Sequence, residues 1–409
     1  MQIKKAYRFE LRLSQEQRQQ CVHFAGCARF VWNKALALKK EAWDNESRNV
    51  SRFEIDSLLP TWKEEFPWLK EAPSQSLQQA NIDLDQAYKN FFRRVKKGEK
   101  PGHPRFKKKG KHDAFRLPQG IKLLNPLNHK TGLVQLPKLG QTKFTMSRPI
   151  EGRIKHATIS RCAGKWFISF NCDGVEIEDT APSPTAVGID RGVAVFAACS
   201  DGTRIEAPQP AKRYRRRLAK IQRRLARKKK FSKNWRKERA KLSALGSHMA
   251  NVRRDALHKA STTLAKNHGS IVLEDLRTRN MTRRAKGSIE VPGKNVAAKS
   301  GLNRAILDQG WHAFQTMLVY KANWHGGKVI LVAPHHTSQT CSACGNVDVS
   351  NRRSQARFVC TCCGHMDNAD FNAAKNILAA ELAVSACGEA PLGAPAKQEA
   401  HKRKAAKAA

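Results

Sequence analysis

Acidic residues are scarce in this chain. Its 409 residues carry 34 Asp and Glu against 76 Lys and Arg, a formal net charge of +42. The pI is near 10.3. A self-repelling excess of this size points to a polyanionic partner, with a long nucleic acid as the best match. A basic membrane-surface protein or a ribosomal-type protein would share that charge, so charge alone leaves the activity open. Long apolar runs are also missing. No stretch approaches the ~18 apolar residues of a transmembrane helix, which excludes a membrane-spanning chain. The first residues, Met1 to Arg8, lack an apolar core and a small-residue cleavage site, so no secretory signal is expected and the cytosol is the expected compartment. No internal repeat is visible. Disorder throughout is excluded by eight Trp and 17 Phe, which are core-forming residues. Cysteine is present but odd in number, at 11. Four form two Cys-x-x-Cys pairs and the rest are scattered, which suits reduced thiols and a metal site rather than a disulfide framework.

Residues 2–13 alternate apolar and charged side chains and predict a strand. Ser14 with Gln17 forms a capping box that opens a helix. A second helix is expected at about 76–97, where Leu77, Asn81, Leu84, Tyr88, Phe91 and Val95 share a face. Residues 96–111 are basic and rich in Pro and Gly, which excludes a regular helix. This segment is either a solvated linker or a phosphate-contacting loop. The second reading is favoured because Phe106 lies between Arg105 and Lys107 and could stack on a base. Short strands are expected from 113 to 177, with a hairpin turning at Ala163-Gly164. An acidic and Pro/Ser-rich stretch at 175–184 marks a domain boundary. The segment beyond about 388 is rich in Ala, Lys and Pro and is expected to be disordered.

The second half has a different pattern. An apolar run ends on Asp190, a second strand is expected at 193–199, and Asp201-Gly202 turns into a third at 203–207. A basic helical pair follows at 211–267. The run from Ser270 again ends on acids, Glu274 and Asp275. A Gly/Lys-rich loop is expected at 283–301, then a helix carrying Leu307, Trp311, Phe314 and Leu318. A strand at 328–333 precedes a final helix that starts near Asp370. This order, with acids at the ends of two buried strands and at the start of the last helix, is that of an RNase H-like mixed sheet flanked by helices. Converging carboxylates repel one another unless a cation lies between them. Hard oxygen ligands suit Mg²⁺, and two such ions about 3.5–4 Å apart can activate a water and stabilise a leaving oxygen in phosphodiester hydrolysis.

Cys341 and Cys344 are followed, after 15 residues, by Cys360 and Cys363. That spacing fits one tetrahedral Zn²⁺, and four thiolates leave no place for water, so the site is structural. Cys362 could replace Cys360 only with poor geometry. Residues 212–259 hold 20 Lys and Arg against two acids, Glu238 and Asp255. The helical pair is either a charged, solvated surface or a nucleic-acid channel. Its one-sided charge favours the channel, with Arg215, Arg216, Arg223 and Arg224 on phosphates.

Several motifs together resemble the TnpB family of transposon-encoded RNA-guided DNA nucleases and, with it, type V CRISPR effectors. In the second half they are Gly188-Ile-Asp190-Arg-Gly192, Ile271-Val-Leu-Glu274-Asp275-Leu276, Thr337-Ser-Gln-Thr-Cys341-Ser-Ala-Cys344-Gly345 and Asp367-Asn-Ala-Asp370-Phe-Asn372-Ala-Ala374-Lys-Asn376. In the first half Ala28-Arg-Phe30-Val31-Trp32-Asn33, Ala87-Tyr88-Lys-Asn90-Phe91-Phe92 and Gly102-His-Pro104-Arg105-Phe106-Lys107 match as well. The resemblance covers about residues 1–385. It implies a multi-domain α/β protein. A β-barrel-like, wedge-type RNA- and DNA-binding domain would comprise 1–13 and 105–180, and a helical recognition insertion 14–104. A RuvC-like, RNase H-fold nuclease domain would comprise 184–336 and 366–385, with a zinc ribbon at 337–365 and a basic tail at 386–409. The resemblance further implies that Asp190, Glu274 and Asp370 are the catalytic Mg²⁺ ligands, Asp370 being chosen over Asp367 because Asn372-Ala-Ala follows it. The implied partners are a guide RNA from the transposon end and double-stranded target DNA beside a short flanking motif, with base pairing reading the rest. Asn368 departs from the basic residue or His found in many members. Two other activities share these features: RNA-guided binding without cleavage, which the presence of all three acids disfavours, and a strand-transferring transposase, which would want a separate helix-turn-helix that the sequence does not suggest.

Overall fold

The structure is a computed structural model that describes residues 2–177 and 183–386, and the backbone alone for 382–386. The middle of the expected linker and the basic tail lie outside the described residues. The chain divides into two units, Met1–Ile177 and Glu178–Ala409. Among the described residues no helix is long and apolar enough to cross a membrane.

The first unit has the element order β1 (Gln2–Arg12), α1 (Gln15–Glu46), α2 (Arg52–Ser57), α3 (Leu59–Glu65), α4 (Ser74–Lys96), β2 (Ala114–Leu117), β3 (Lys122–Asn128), β4 (Thr131–Leu136), β5 (Gly140–Thr145), β6 (Arg153–Cys162) and β7 (Lys165–Glu176). The capping box forms as expected: Gln17 N–H donates to Ser14 Oγ at 3.1 Å and Ser14 N–H donates to Gln17 Oε1 at 3.2 Å. The strands form one seven-stranded sheet in the order β2-β6-β7-β1-β5-β4-β3. The first strand therefore sits at its centre, paired with β7 on one side and β5 on the other. Its alternation buries Tyr7, Phe9 and Leu11, and Phe9 packs on Phe144 and Phe170 at centroid distances of 5.3 and 6.3 Å. The β6–β7 hairpin turns at Ala163 and Gly164, both at positive φ (50° and 86°), as a two-residue hairpin turn that matches strand twist requires.

The second unit has the order β8 (Ala186–Asp190), β9 (Ala197–Cys199), β10 (Arg204–Ile205), α5 (Pro210–Arg213), α6 (Arg215–Ala226), α7 (Lys233–Asn267), β11 (Ser270–Glu274), α8 (Thr278–Met281), α9 (Val296–Gln309), α10 (Trp311–Trp324), β12 (Lys328–Val332), β13 (Arg357–Val359), β14 (Met366–Asn368) and α11 (Ala369–Ala386). A five-stranded sheet runs β10-β9-β8-β11-β12. Strands β8, β11 and β12 are parallel, and β9 and β10 continue the sheet antiparallel. On one face Val187, Ile189, Ile271, Leu273 and Val329 pack with Leu257 of α7 and Phe314 and Leu318 of α10. On the other, Val272, Ile330 and Val332 pack with Ile377 of α11.

Three expectations are corrected here. The strand expected at 193–199 is reduced to Ala197–Cys199, because the chain doubles back at Gly192, where a Cβ would lie 2.7 Å from the Val195 carbonyl oxygen. The single helix carrying Leu307 to Leu318 is two helices. Gly310, at φ 75°, ends α9 and begins α10, with Arg253 and Leu257 close enough to crowd a Cβ there. The break turns Leu307 out to solvent while Trp311, Phe314 and Leu318 stay buried. The first of these helices begins at Val296, inside the stretch expected to be loop.

Candidate metal centres and nucleic-acid surface

Strand parity decides where the acids point. Successive side chains of a strand face opposite sides of its sheet. Val187 and Ile189 face the α7/α10 core, so Gly188 and Asp190 face α11. Ile271 and Leu273 face the same core, so Val272 and Glu274 also face α11. The parallel register pairs Leu273 with Ile189 and so brings Asp190 and Glu274 to the same end of neighbouring strands. Asp275, one residue further, is exposed. Asp370 lies in the first turn of α11. Gly188 lets that helix approach: a Cβ there would lie 2.2 Å from the Ala374 carbonyl oxygen and 2.6 Å from the Leu378 amide nitrogen. The sheet and helix thus bring all three acids into one region.

The electrostatics register that gathering. Burial first, then the charge of Glu274, then that of Asp370, push the Asp190 carboxyl up to about 7, while Arg352 and Arg191 pull the other way. Glu274 is buried and accepts a 2.7 Å hydrogen bond from the Thr337 hydroxyl on Oε1. Arg191 is buried and donates to the backbone carbonyl of Glu274. Arg352 reaches Asp370 Oδ1 at 3.4 Å. Asn368 Oδ1 accepts the Asp370 N–H at 3.0 Å and caps α11. The neighbouring Asp367 is already engaged: it accepts Lys375 Nζ at 2.8 Å and the Asn368 N–H at 2.7 Å.

The second cluster is tighter. Among the described residues, Cys341, Cys344, Cys360 and Cys363 are the group whose ligand atoms all lie within 4.8 Å of one another. Their Sγ atoms approach to 3.7 Å (Cys341 to Cys363) and 3.6 Å (Cys344 to Cys360). Zinc–sulfur bonds of about 2.3 Å in a tetrahedron give sulfur–sulfur edges of about 3.8 Å, so the cluster fits a zinc ribbon without rearrangement. Backbone N–H groups of Cys363 and Cys362 donate to Cys360 Sγ and hold that thiol down near 6. Cys362 is not one of the four.

Hydrogen bonds tie the two clusters together. Asn376 Nδ2 donates to the Thr337 and Thr340 carbonyls at 2.9 and 2.7 Å. Asn372 Nδ2 donates to Thr340 O at 2.8 Å, and its Oδ1 accepts the Ser342 N–H at 2.9 Å. Thr337 in turn holds Glu274. In the sequence Asn372 and Asn376, like Thr337 and Arg191, carry the family resemblance without a task, and nothing there marks Arg352. The i, i+4 spacing of the two asparagines on one helix face was the available signal for the first pair.

The expected nucleic-acid residues fall in two places. Arg215, Arg216, Arg223 and Arg224 are exposed on α6, which packs on α7 through Ile221 and Leu245. Arg105, Phe106 and Lys107 belong to a loop that is pinned to α1. Trp32 Nε1 donates to the Arg105 carbonyl at 3.0 Å, and Asn33 exchanges two hydrogen bonds with the Lys107 backbone at 2.8 and 3.0 Å. The Lys107 ammonium lies 3.7 Å from the Trp32 ring centroid, so it is spent partly on the fold. Phe106 is half exposed beneath Lys40.

Three sequence profiles match: one described as a probable transposase over residues 169–285, one described as the Cas12f1-like TNB domain over 311–377, and one described as a helix-turn-helix domain over 1–48. The last description names a motif that these residues do not form, because they fold as β1 followed by the unbroken 32-residue helix α1. The chain is 46% identical over 397 residues to the putative RNA-guided DNA endonuclease InsQ of Escherichia coli, covering 96% of each chain. It is 34% identical to a putative RNA-guided DNA endonuclease of Streptomyces pristinaespiralis, covering 95% of this chain and 92% of that one. The solved structure of the mini-RNA-guided endonuclease CRISPR-Cas_phi3 superposes with a TM-score of 0.53 at 11% identity, covering 93% of this chain and 92% of that chain.

Proposed function

The chain belongs to the TnpB family, and from that premise we propose that it is an RNA-guided DNA endonuclease with a RuvC-like, RNase H-type nuclease domain built on the β8–β12 sheet. The observation that carries the proposal is the convergence of Asp190, Glu274 and Asp370 on the α11 side of the sheet. Three oxygen-bearing acids in one another's field, inside a chain of charge +42, form a donor set for a hard cation within a phosphate-attracting surround.

Asp190, Glu274 and Asp370 would hold a pair of Mg²⁺ ions, and Cys341, Cys344, Cys360 and Cys363 one structural Zn²⁺. Magnesium, when bound, supplies an activated water and charge stabilisation at the leaving oxygen. The chain's own residues prepare that chemistry. Thr337 holds Glu274 through Oε1. Arg352 and the Asn368 cap hold Asp370 at the head of its helix. Asp190, whose carboxyl is raised to about 7 by burial and its acidic neighbours, would offer the ion its oxygens in the deprotonated form. The pinned loop at 105–107 and the basic face of α6 would carry phosphates of the guide RNA and target DNA. The guide would come from the transposon end, and cutting would occur beside a short flanking motif. The wedge-type, recognition, nuclease and ribbon domains are proposed at the boundaries given above.

The test uses purified protein with its co-purifying RNA and a plasmid carrying the guide-matched target beside a randomised flank. Cutting next to one motif is expected in Mg²⁺. Asp190→Ala should lower the cutting rate by on the order of 10³-fold while leaving RNA binding unchanged. Cutting by that variant at the wild-type rate would overturn the proposal.

A further inference from the structure

A cleft of about 1090 Å³ opens in the first unit between α1 and α4, roofed by the segment that leads into α2. Its volume lies just above the ~300–1,000 Å³ typical of ligand clefts. Its back wall is a cluster of rings. Tyr88 stacks on Phe92 (27° between planes, 6.4 Å), and His103 meets Tyr88 and Phe91 edge-on at 5.4 and 5.3 Å. Its mouth carries two further rings, Trp43 and Phe53, which are 61% and 73% exposed. Neither packs on another ring among the described residues. Rings this exposed contribute little to the fold.

Cations outnumber acids in the lining. Lys39, Lys40, Arg48, Arg52 and Lys89 line it, against Asp44 and Asp85. The Arg52 guanidinium lies over the Phe53 ring at 4.5 Å, and Lys39 lies over Tyr88 at 5.4 Å. Arg48 and Lys89 pair with Glu46, Glu54 and Asp85 from exposed positions, where such pairs are worth about 0–1 kcal/mol. Arg52 pairs at 3.8 Å with the half-buried Asp56, and Lys39 donates to the Val50 carbonyl. Exposed ring faces flanked by cations are the chemistry that holds unpaired bases, with stacking below and phosphates along the rim. A protein segment docking through apolar contacts would gain nothing from the cations.

We propose that this cleft binds unstacked nucleobases of a single-stranded nucleic acid, with Trp43 and Phe53 as the stacking platforms and the lysine and arginine rim on the flanking phosphates. The proposal rests on the nucleic-acid part of the functional reading and adds to it a base-holding site in a place that the catalytic chemistry does not use.

The probe is a short oligonucleotide carrying 2-aminopurine, made in ribose and deoxyribose forms, together with an abasic strand of equal length and charge. It is offered to the full-length protein carrying Asp190→Asn, so that no cutting occurs. Quenching of the 2-aminopurine is expected on binding. Trp43→Leu and Phe53→Leu should each weaken binding of the base-bearing strand by roughly 5- to 150-fold, the range expected for loss of one stacking platform, and should leave the abasic strand unaffected. Trp43→Phe should restore most of the binding, and matching thermal melts confirm the fold. The ribose and deoxyribose arms identify whether guide RNA or DNA is the better occupant, and quenching by either supports the site. Equal weakening for the abasic strand would reduce the cleft to a charged surface and overturn the proposal. Wild-type binding by Trp43→Leu would also overturn it and leave an apolar, peptide-type groove. Neither failure touches the nuclease reading, which is decided separately by the cutting assay with Asp190→Ala.

Discussion

The two candidate metal centres are assembled in opposite ways. The four cysteines come from a span of 23 residues, and two short turns bring their sulfurs to 3.6–3.7 Å. The three acids come from positions 180 residues apart, and only strand register and the seating of α11 on Gly188 bring them together. The thiols meet at little electrostatic cost, because backbone N–H groups take up the charge on Cys360. Carboxylates do not, and Asp190 shows the strain in its raised protonation. A local site is therefore preformed by its turns, whereas a long-range anionic site must be held against its own repulsion by the fold around it. Here much of that holding is done by the first site's neighbourhood, through Thr337, Asn372 and Asn376.

The largest effect is expected from breaking the local site. Cys341→Ser should bring zinc content well below one per chain. Loss of a structural metal belongs to the class of changes above about 4 kcal/mol, which lowers the melting temperature of the second unit by ~10 °C or more. Cutting should fall with it, because the ribbon's carbonyls anchor the helix that carries Asp370. Full zinc occupancy in this variant would contradict the ligand set. A smaller effect should follow from disturbing the long-range site without touching an acid or a thiol. In Gly188→Ala the new methyl group meets the backbone of α11. Overpacking of this kind costs about 1–3 kcal/mol, and a displacement near 1 Å at a reacting centre costs about 10²-fold in rate. Zinc content and RNA binding should stay at wild-type levels. If Gly188→Ala cut at full rate, the seating of α11 would not be what positions Asp370.

The same contrast explains what was legible in the sequence. The cysteine spacing is local, so it announced the four-sulfur cluster. The capping box at Ser14 and the Ala163-Gly164 hairpin were legible for the same reason. The acids were visible as strand ends, but choosing Glu274 over Asp275 and Asp370 over Asp367 needed a family resemblance, because spacing alone does not say which side chain faces the helix. In the structure Asp275 lies exposed past the strand end, and Asp367 is engaged by Lys375. Gly310 was not read as a helix break, because the apolar period on its two sides runs through it. The pinning of Arg105 to Lys107 by Trp32 and Asn33 was illegible, since nothing in either segment names a partner some 70 residues away. The cleft at Trp43 and Phe53 was likewise invisible, being built from three separated segments.

The smallest predicted effect bears on the strain in the acid cluster. A free aspartate titrates near 3.9, whereas Asp190 is held near 7 in the folded chain. Between these values the folded state keeps a proton that the unfolded state has lost. The metal-free protein should therefore lose stability as pH rises from about 4 to about 7 and level off above. Asp190→Asn carries no charge to bury or repel, so it should remove that contribution. Without Mg²⁺ at pH 8 the variant should melt above wild type, and at pH 4 the two should coincide. Adding Mg²⁺ at pH 8 should raise the wild-type melting temperature more than that of the variant, because the cation takes the place of the proton between the carboxylates. Parallel melting curves for the two proteins across this range would show that Asp190, Glu274 and Asp370 do not share one field, and the long-range site would then lose the property that distinguishes it from the cysteine cluster.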